Sequence, residues 1–257
     1  MPYGGEFILR ARSWRRLARF ASYATVAALT PAAYNPAARE MAVQHIYLMA
    51  WKVLAGYLAF TLILSLVLIE VVSNAASTYG VSQYALELVL RVLVLEVMPF
   101  MTALFVALRS GSEIGAEIAL MRVAGELEDI EDIGTSPLYQ ELMPRVTAAA
   151  LSVFTLTTLA CALSVVLTYT VFFGFSDAGF ENFTRVVAVV FTEQVLAGFV
   201  LKCMLFGGAV ALIPLATGLE AERGQLRSVP FTVLAGLVKL FFVIGAVAVL
   251  SLVVKYV

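Results

Sequence analysis

The sequence predicts an all-α polytopic membrane protein with five transmembrane helices. An amphipathic helix in the membrane interface precedes them, and one charged helix lies outside the bilayer. Three observations carry this. Of the 257 residues 61% are hydrophobic and 14% charged, with a mean hydropathy of +0.94, whereas soluble domains carry about 25% charged residues. The charges cluster, so long runs free of them approach the ~20 apolar residues that cross a bilayer. In the middle of the chain, residues 111–145, GSEIGAEIALMRVAGELEDIEDIGTSPLYQELMPR, bring together eight acidic side chains.

Residues 1–45 make up the N-terminal interfacial region. At about 100° per residue, Phe7, Ala11, Trp14, Ala18 and Ala21 share one side of a helix. Arg12, Arg15, Arg16 and Arg19 share the other, and Arg10 breaks the pattern. A basic helix with aromatic residues on its apolar face suits the membrane interface, which assigns Trp14, Arg15, Arg16 and Arg19 to that surface. A solvated basic helix packed on protein has the same pattern. The run RRLARFASYATVAALTPAA has the order of a signal peptide. Ser22, Tyr23, Thr25 and Thr30 dilute its apolar part, and the segment is read as retained.

The spans follow from the charge-free runs. Residues 53–69 extend to a first span at 47–72. Residues 97–108 extend back to 86, giving a second span at 86–108 that takes in Glu96. Residues 146–176 give the third, 146–175, long enough to be tilted or kinked. Residues 203–219 extend to 190–216 and include Lys202. The last span, 230–257, includes Lys239. With the N-terminus inside, inner segments hold eleven Lys and Arg residues and outer segments three (Arg91, Arg185 and Lys255). The positive-inside rule then makes the N-terminus cytoplasmic, the C-terminus periplasmic and residues 111–145 cytoplasmic.

Within that block Val123, Leu127 and Ile130 recur at i, i+4, i+7, with Leu120 and Ile133 nearby. Glu126, Glu128, Asp129, Glu131 and Asp132 fill the other positions. The pattern predicts one amphipathic helix stopping near Gly134, before Pro137 begins a new segment. It serves either as a solvated loop helix or as a docking handle for a cytoplasmic partner.

Several function classes are excluded or weakened. A net charge of −1 offers no basic field for nucleic acid. His45 is the only histidine, and Cys161 and Cys203 sit in apolar runs, so neither a metal cluster nor a histidine-based triad is legible. No G-x-x-x-x-G-K-[ST] sequence occurs, so any ATP-driven work requires a separate P-loop ATPase.

Glu96 and Lys202 each cost roughly 2.5–3.5 kcal/mol at a helix centre on insertion scales unless paired or hydrated. Their opposite signs fit a buried pair that only fixes helix packing. They fit a shared polar cavity equally well. Leu93, Val97, Phe100, Met101, Leu104, Leu201 and Leu205 surround them, either as packing core or as pocket wall. Arg91 can pair with Glu87 at i, i+4 or touch headgroups. Lys239 reaches an inner surface or a neighbouring helix.

The stretch EVMPFMTALFVALRSGSEIGAEIALMRVAGELEDIEDIGTSPLYQELMPR resembles the MlaE family of ABC transporter permeases. The resemblance rests on Glu96, Pro99, Arg109, Gly111, Ala116–Glu117–Ile118, Met121–Arg122, Glu126, Ile130–Glu131, Gly134 and Pro144–Arg145. FVLKCMLFG, with Lys202, and ATGLEA, with Gly218 and Ala221, are similar to later family segments. The pattern departs at Met98, Ser136 and Lys239. The resemblance implies a homodimeric permease subunit in the inner membrane that moves phospholipid or a similar apolar lipid. Its cavity would be lined by Glu96, Lys202, Leu93, Val97, Phe100, Met101 and Leu205. Glu117, Arg122, Glu126, Leu127, Ile130 and Glu131 would couple it to a cytoplasmic ATPase. No cofactor is expected in this chain, since ATP and Mg belong to the ATPase. Further implied partners are a periplasmic MCE-type protein and a small STAS-type regulator. A membrane scaffold and a lipid-modifying membrane enzyme are the competing readings, the latter without a legible catalytic constellation.

Overall fold

The computed structural model describes residues 19–20, 22–23, 36–132, 137, 141–175 and 179–256, and among them there is no strand. The expected interfacial helix falls largely outside this range, including Trp14, Arg15 and Arg16; Arg19 is helical and exposed.

Helix α1 (Pro36–Ile46) leads through a π-helical turn at Tyr47–Trp51 into α2 (Lys52–Thr78). The second span is helical from Ser82 to Ala124. It comprises a short 3-10 turn, α3 (Ala85–Val89), a π-helical stretch at Leu90–Val97, α4 (Met98–Val106), a second π turn at Ala107–Gly111 and α5 (Ser112–Ala124). Then come α6 (Glu126–Asp132), α7 (Met143–Phe173), α8 (Phe180–Val190), α9 (Glu193–Gly218) and α10 (Ser228–Tyr256). Five of these stretches are long and apolar enough to cross a membrane: α2, the compound second span, α7, α9 and α10.

Two features differ from the sequence reading. The second helix continues past residue 108 to Ala124, with Arg109 and Glu113 paired at i, i+4 on its surface, 3.2 Å apart. Charge marks where a helix leaves apolar surroundings, not where its hydrogen bonding stops. The single amphipathic helix expected across residues 120–133 is instead broken at Gly125. That residue has φ +85°, a left-handed conformation that glycine adopts without a Cβ penalty, and its N–H donates to the Met121 carbonyl at 3.1 Å. Val123 therefore belongs to α5, whereas Leu127 and Ile130 belong to α6.

The chain divides into two compact units. One comprises described residues up to Met49, Val106–Leu151 and Gly208–Val243. Its core contains Ile114, Ile118, Met143, Val146, Ala211 and Leu215. Small residues allow α5 and α9 to approach closely: a Cβ on Gly115 would lie 3.6 Å from Pro214, and one on Gly218 only 2.9 Å from the Gly115 carbonyl oxygen. Arg145, mostly buried at the start of α7, reaches the Glu117 carboxylate at 3.4 Å and also pairs with Glu141.

The other unit comprises Ala50–Phe105, Ser152–Gly207 and Ile244–Val257. Hydroxyl pairs link its helices, with Tyr57 hydrogen-bonded to Thr102 and Ser65 to Ser164 at 2.9 Å. Such bonds replace water as partner for polar groups inside an apolar bundle. Phe183 of α8 packs edge-on against Tyr169 of α7, with ring centroids 5.1 Å apart. Cys161 and Cys203 are buried free thiols.

Candidate functional site

The site is built around Pro99. Proline has no N–H and its ring crowds the carbonyl four residues back, here that of Leu95. The π-helical stretch Leu90–Val97 lies immediately before it, the kind of local unwinding that recurs at functional sites. A backbone acceptor and Glu96 are thereby presented together. Lys202, on α9, meets both: its ammonium pairs with the Glu96 carboxylate and stands 3.5 Å from the Leu95 carbonyl oxygen. The Phe206 ring centroid is 5.9 Å from the same nitrogen, within cation–π range. Cys161 donates to the Val94 carbonyl at 3.3 Å, occupying a second backbone acceptor in this stretch.

The pair borders an open cavity of about 420 Å³. Glu96 and Lys202 supply its charge. Leu95, Val195, Phe199, Leu201 and Leu205 line it with apolar surface, as do Val247, Leu250 and Val254 of α10, and Gln194 and Ser251 add polar groups. This arrangement can accept an apolar ligand that carries a polar or charged end. A polar group would meet the Lys202–Glu96 pair, and hydrocarbon would lie along α9 and α10.

Of the residues expected around this site, Glu96, Lys202, Leu201 and Leu205 line the cavity. Leu93 is buried, 2% exposed, and Val97, Phe100 and Met101 are half-buried; none of these four is in the lining. Those four neighbour Glu96 in sequence, but the opposite walls come from α9 and α10. The lining residues not expected from the sequence carried a signal. Gln194 and Gly198 lie on the same face of α9 as Leu201, Lys202 and Leu205, and Val247, Leu250, Ser251 and Val254 follow the i, i+3, i+4, i+7 spacing of a single helical face.

The expected coupling residues fall on two helices. Glu117 and Arg122 are on α5; Glu126, Leu127, Ile130 and Glu131 are on α6. Leu127 is buried, Ile130 half-buried and Glu126 exposed. Arg122 pairs across the Gly125 break with Glu128. The Arg91–Glu87 pair forms at 2.8 Å, and Lys239 meets Glu220 at 3.2 Å. No group of His, Cys, Asp and Glu among the described residues could hold a metal ion.

Bilayer-length helices with a buried ion pair opening on an apolar cavity are features of a membrane permease. The family model for permease MlaE matches residues 42–254, and the chain belongs to that family, one of transport subunits rather than enzymes. Over 136 residues it is 31% identical to the intermembrane phospholipid transport system permease protein MlaE of Haemophilus influenzae, covering 52% of each chain. It is 29% identical over 132 residues to a probable ABC transporter permease protein of Rickettsia typhi, covering 50% of each. A probable ABC transporter permease protein of Porphyra purpurea is 24% identical over 129 residues, 50% of this chain and 49% of that one. In these alignments the chain spans about half the length of the curated relatives it matches.

Proposed function

We propose that this chain is the permease subunit of an ABC transporter that moves phospholipid, or a lipid of similar apolarity, with a separate cytoplasmic ATPase supplying the work. The observation that carries this reading is the Lys202–Glu96 pair at the edge of the apolar cavity. A lipid is the ligand class that combines a polar headgroup with long hydrocarbon. The cavity volume falls in the drug-sized range of about 300–1,000 Å³, small for a lipid with two acyl chains. A second copy placed against the exposed faces of α9 and α10 would extend the walls, which favours a homodimer.

In this reading the protein is a multi-pass inner-membrane subunit, N-terminus cytoplasmic and C-terminus periplasmic. Loop-charge asymmetry supports that orientation. Residues 111–145 face the ATPase, with Glu117, Arg122, Glu126, Leu127, Ile130 and Glu131 as the coupling surface. Trp14, Arg15, Arg16 and Arg19 rest at the inner interface. A periplasmic MCE-type protein and a small STAS-type regulator complete the assembly.

Purification from native membranes tests this. The chain should bring down a P-loop ATPase identified by mass spectrometry, and the complex should hydrolyse ATP and carry phospholipid. A purified chain with neither ATPase nor lipid favours the scaffold reading instead.

A further inference from the structure

A second recess, of about 690 Å³, has walls from two parts of the chain: Leu120, Met121 and Glu126 on one side, and Gly224 and Leu226 of the α9–α10 connection on the other. Several contacts hold the connection to α5. The Gly224 N–H donates to the Val123 carbonyl at 3.1 Å. Ala221 packs into a small core with Ala119 and Val123. The Arg223 guanidinium lies 3.1 Å from where a Cβ on Gly125 would stand, so it covers the break between α5 and α6. The recess therefore belongs to one continuous surface that includes the α5 end and the connection.

Its chemistry is two-sided. Leu120 is 47% and Leu226 68% exposed, leaving apolar side chains open at the mouth. Glu117 and Glu126 supply carboxylates. Arg145, the cation in the lining, is already engaged by Glu117 and Glu141. A complementary segment would present an apolar side chain between Leu120 and Leu226 with a basic residue beside it.

We propose that the 219–227 connection is a second docking surface for the ATPase, joined to the coupling region through Val123–Gly224 and Arg223–Gly125. This rests on the permease reading above. Its occupant is an ATPase segment pairing an apolar side chain with a Lys or Arg. The ATPase would thereby hold the connection between α9 and α10 as well as α5 and α6.

The test uses the full chain in its own membranes. Leu226→Lys removes the apolar side chain at the exposed mouth of the recess and sets a cation against the incoming Lys or Arg, and Glu131→Lys alters α6 outside the recess lining. Retention of the P-loop ATPase and its hydrolysis rate are measured for each variant, with melting temperature and oligomeric state as checks on the fold. Leu226→Lys should lower ATPase retention about tenfold or more, as for a desolvated interface anchor, at unchanged melting temperature. Retention and hydrolysis as in wild type would overturn the proposal, and so would loss of a dimer with the ATPase still bound, which would assign this face to a second copy. If Glu131→Lys releases the ATPase and Leu226→Lys does not, the second surface fails while the permease reading stands. If the wild-type chain binds no P-loop ATPase, both fail.

Discussion

Lys202 and Glu96 form an ion pair buried from both sides, the lysine side chain 3% and the glutamate side chain 14% exposed. The two residues lie on different helices, and one of them sits in a π-helical stretch directed by Pro99. The pair thus does two jobs: it offsets the cost of two charges in an apolar bundle, and it keeps an ammonium at the edge of a cavity.

Breaking the pair should be costly and removing both charges much less so. Lys202→Met leaves the Glu96 carboxylate without its cation, a change that costs about 3–5 kcal/mol for buried pairs. Combining it with Glu96→Gln should recover most of that loss, because no net charge is then buried. Melting curves in detergent for the two single variants and the double variant measure the coupling. Equal melting temperatures for all forms would show that the pair contributes nothing to stability.

Close packing predicts a contrast between two glycines. A Cβ on Gly218 would stand 2.9 Å from the Gly115 carbonyl oxygen and 3.0 Å from the Ile118 Cβ. Gly218→Ala should therefore destabilise by about 1–3 kcal/mol, the usual cost of overpacking. Gly56 has open space at the same distance. Gly56→Ala should stabilise α2 by roughly 0.5–1 kcal/mol through its helix preference. Thermal unfolding of both variants checks the pair; a destabilised Gly56→Ala would contradict the open face of α2.

His45 gives a pH dependence with a definite sign. Burial, reinforced by the nearby Arg145 guanidinium, lowers its pKa from the ordinary value of 6.5. The unfolded chain then binds a proton more readily than the folded one, so stability at this site is full above pH 6.5 and declines as pH falls below it. Melting temperature should drop between neutral and mildly acid pH, and His45→Gln should flatten that drop. An identical pH profile in the variant would show that His45 is not the group responsible.

The sequence made the bundle legible because charge is costly in a bilayer and its absence is easy to see. The same cost made Glu96 and Lys202 conspicuous. What was not legible depended on contacts distant in sequence. Nothing local to Glu96 indicates that Val247, Leu250, Ser251 and Val254 form the far wall, although their spacing defines one helical face. The break at Gly125 was hidden because Val123, Leu127 and Ile130 keep the period of one helix, and only the glycine's φ of +85° separates them.

Phospholipid should occupy the cavity, and Gly198 allows this to be probed without touching the ion pair. Gly198 lines the cavity, and a Cβ there would meet nothing within 4 Å. Gly198→Trp should fill the recess while leaving Lys202 and Glu96 in place. Native mass spectrometry of wild type and variant, purified from the same membranes, measures bound phospholipid. Phospholipid should be present on the wild-type protein and lost from a folded Gly198→Trp variant; equal phospholipid on both would overturn the lipid reading of the cavity.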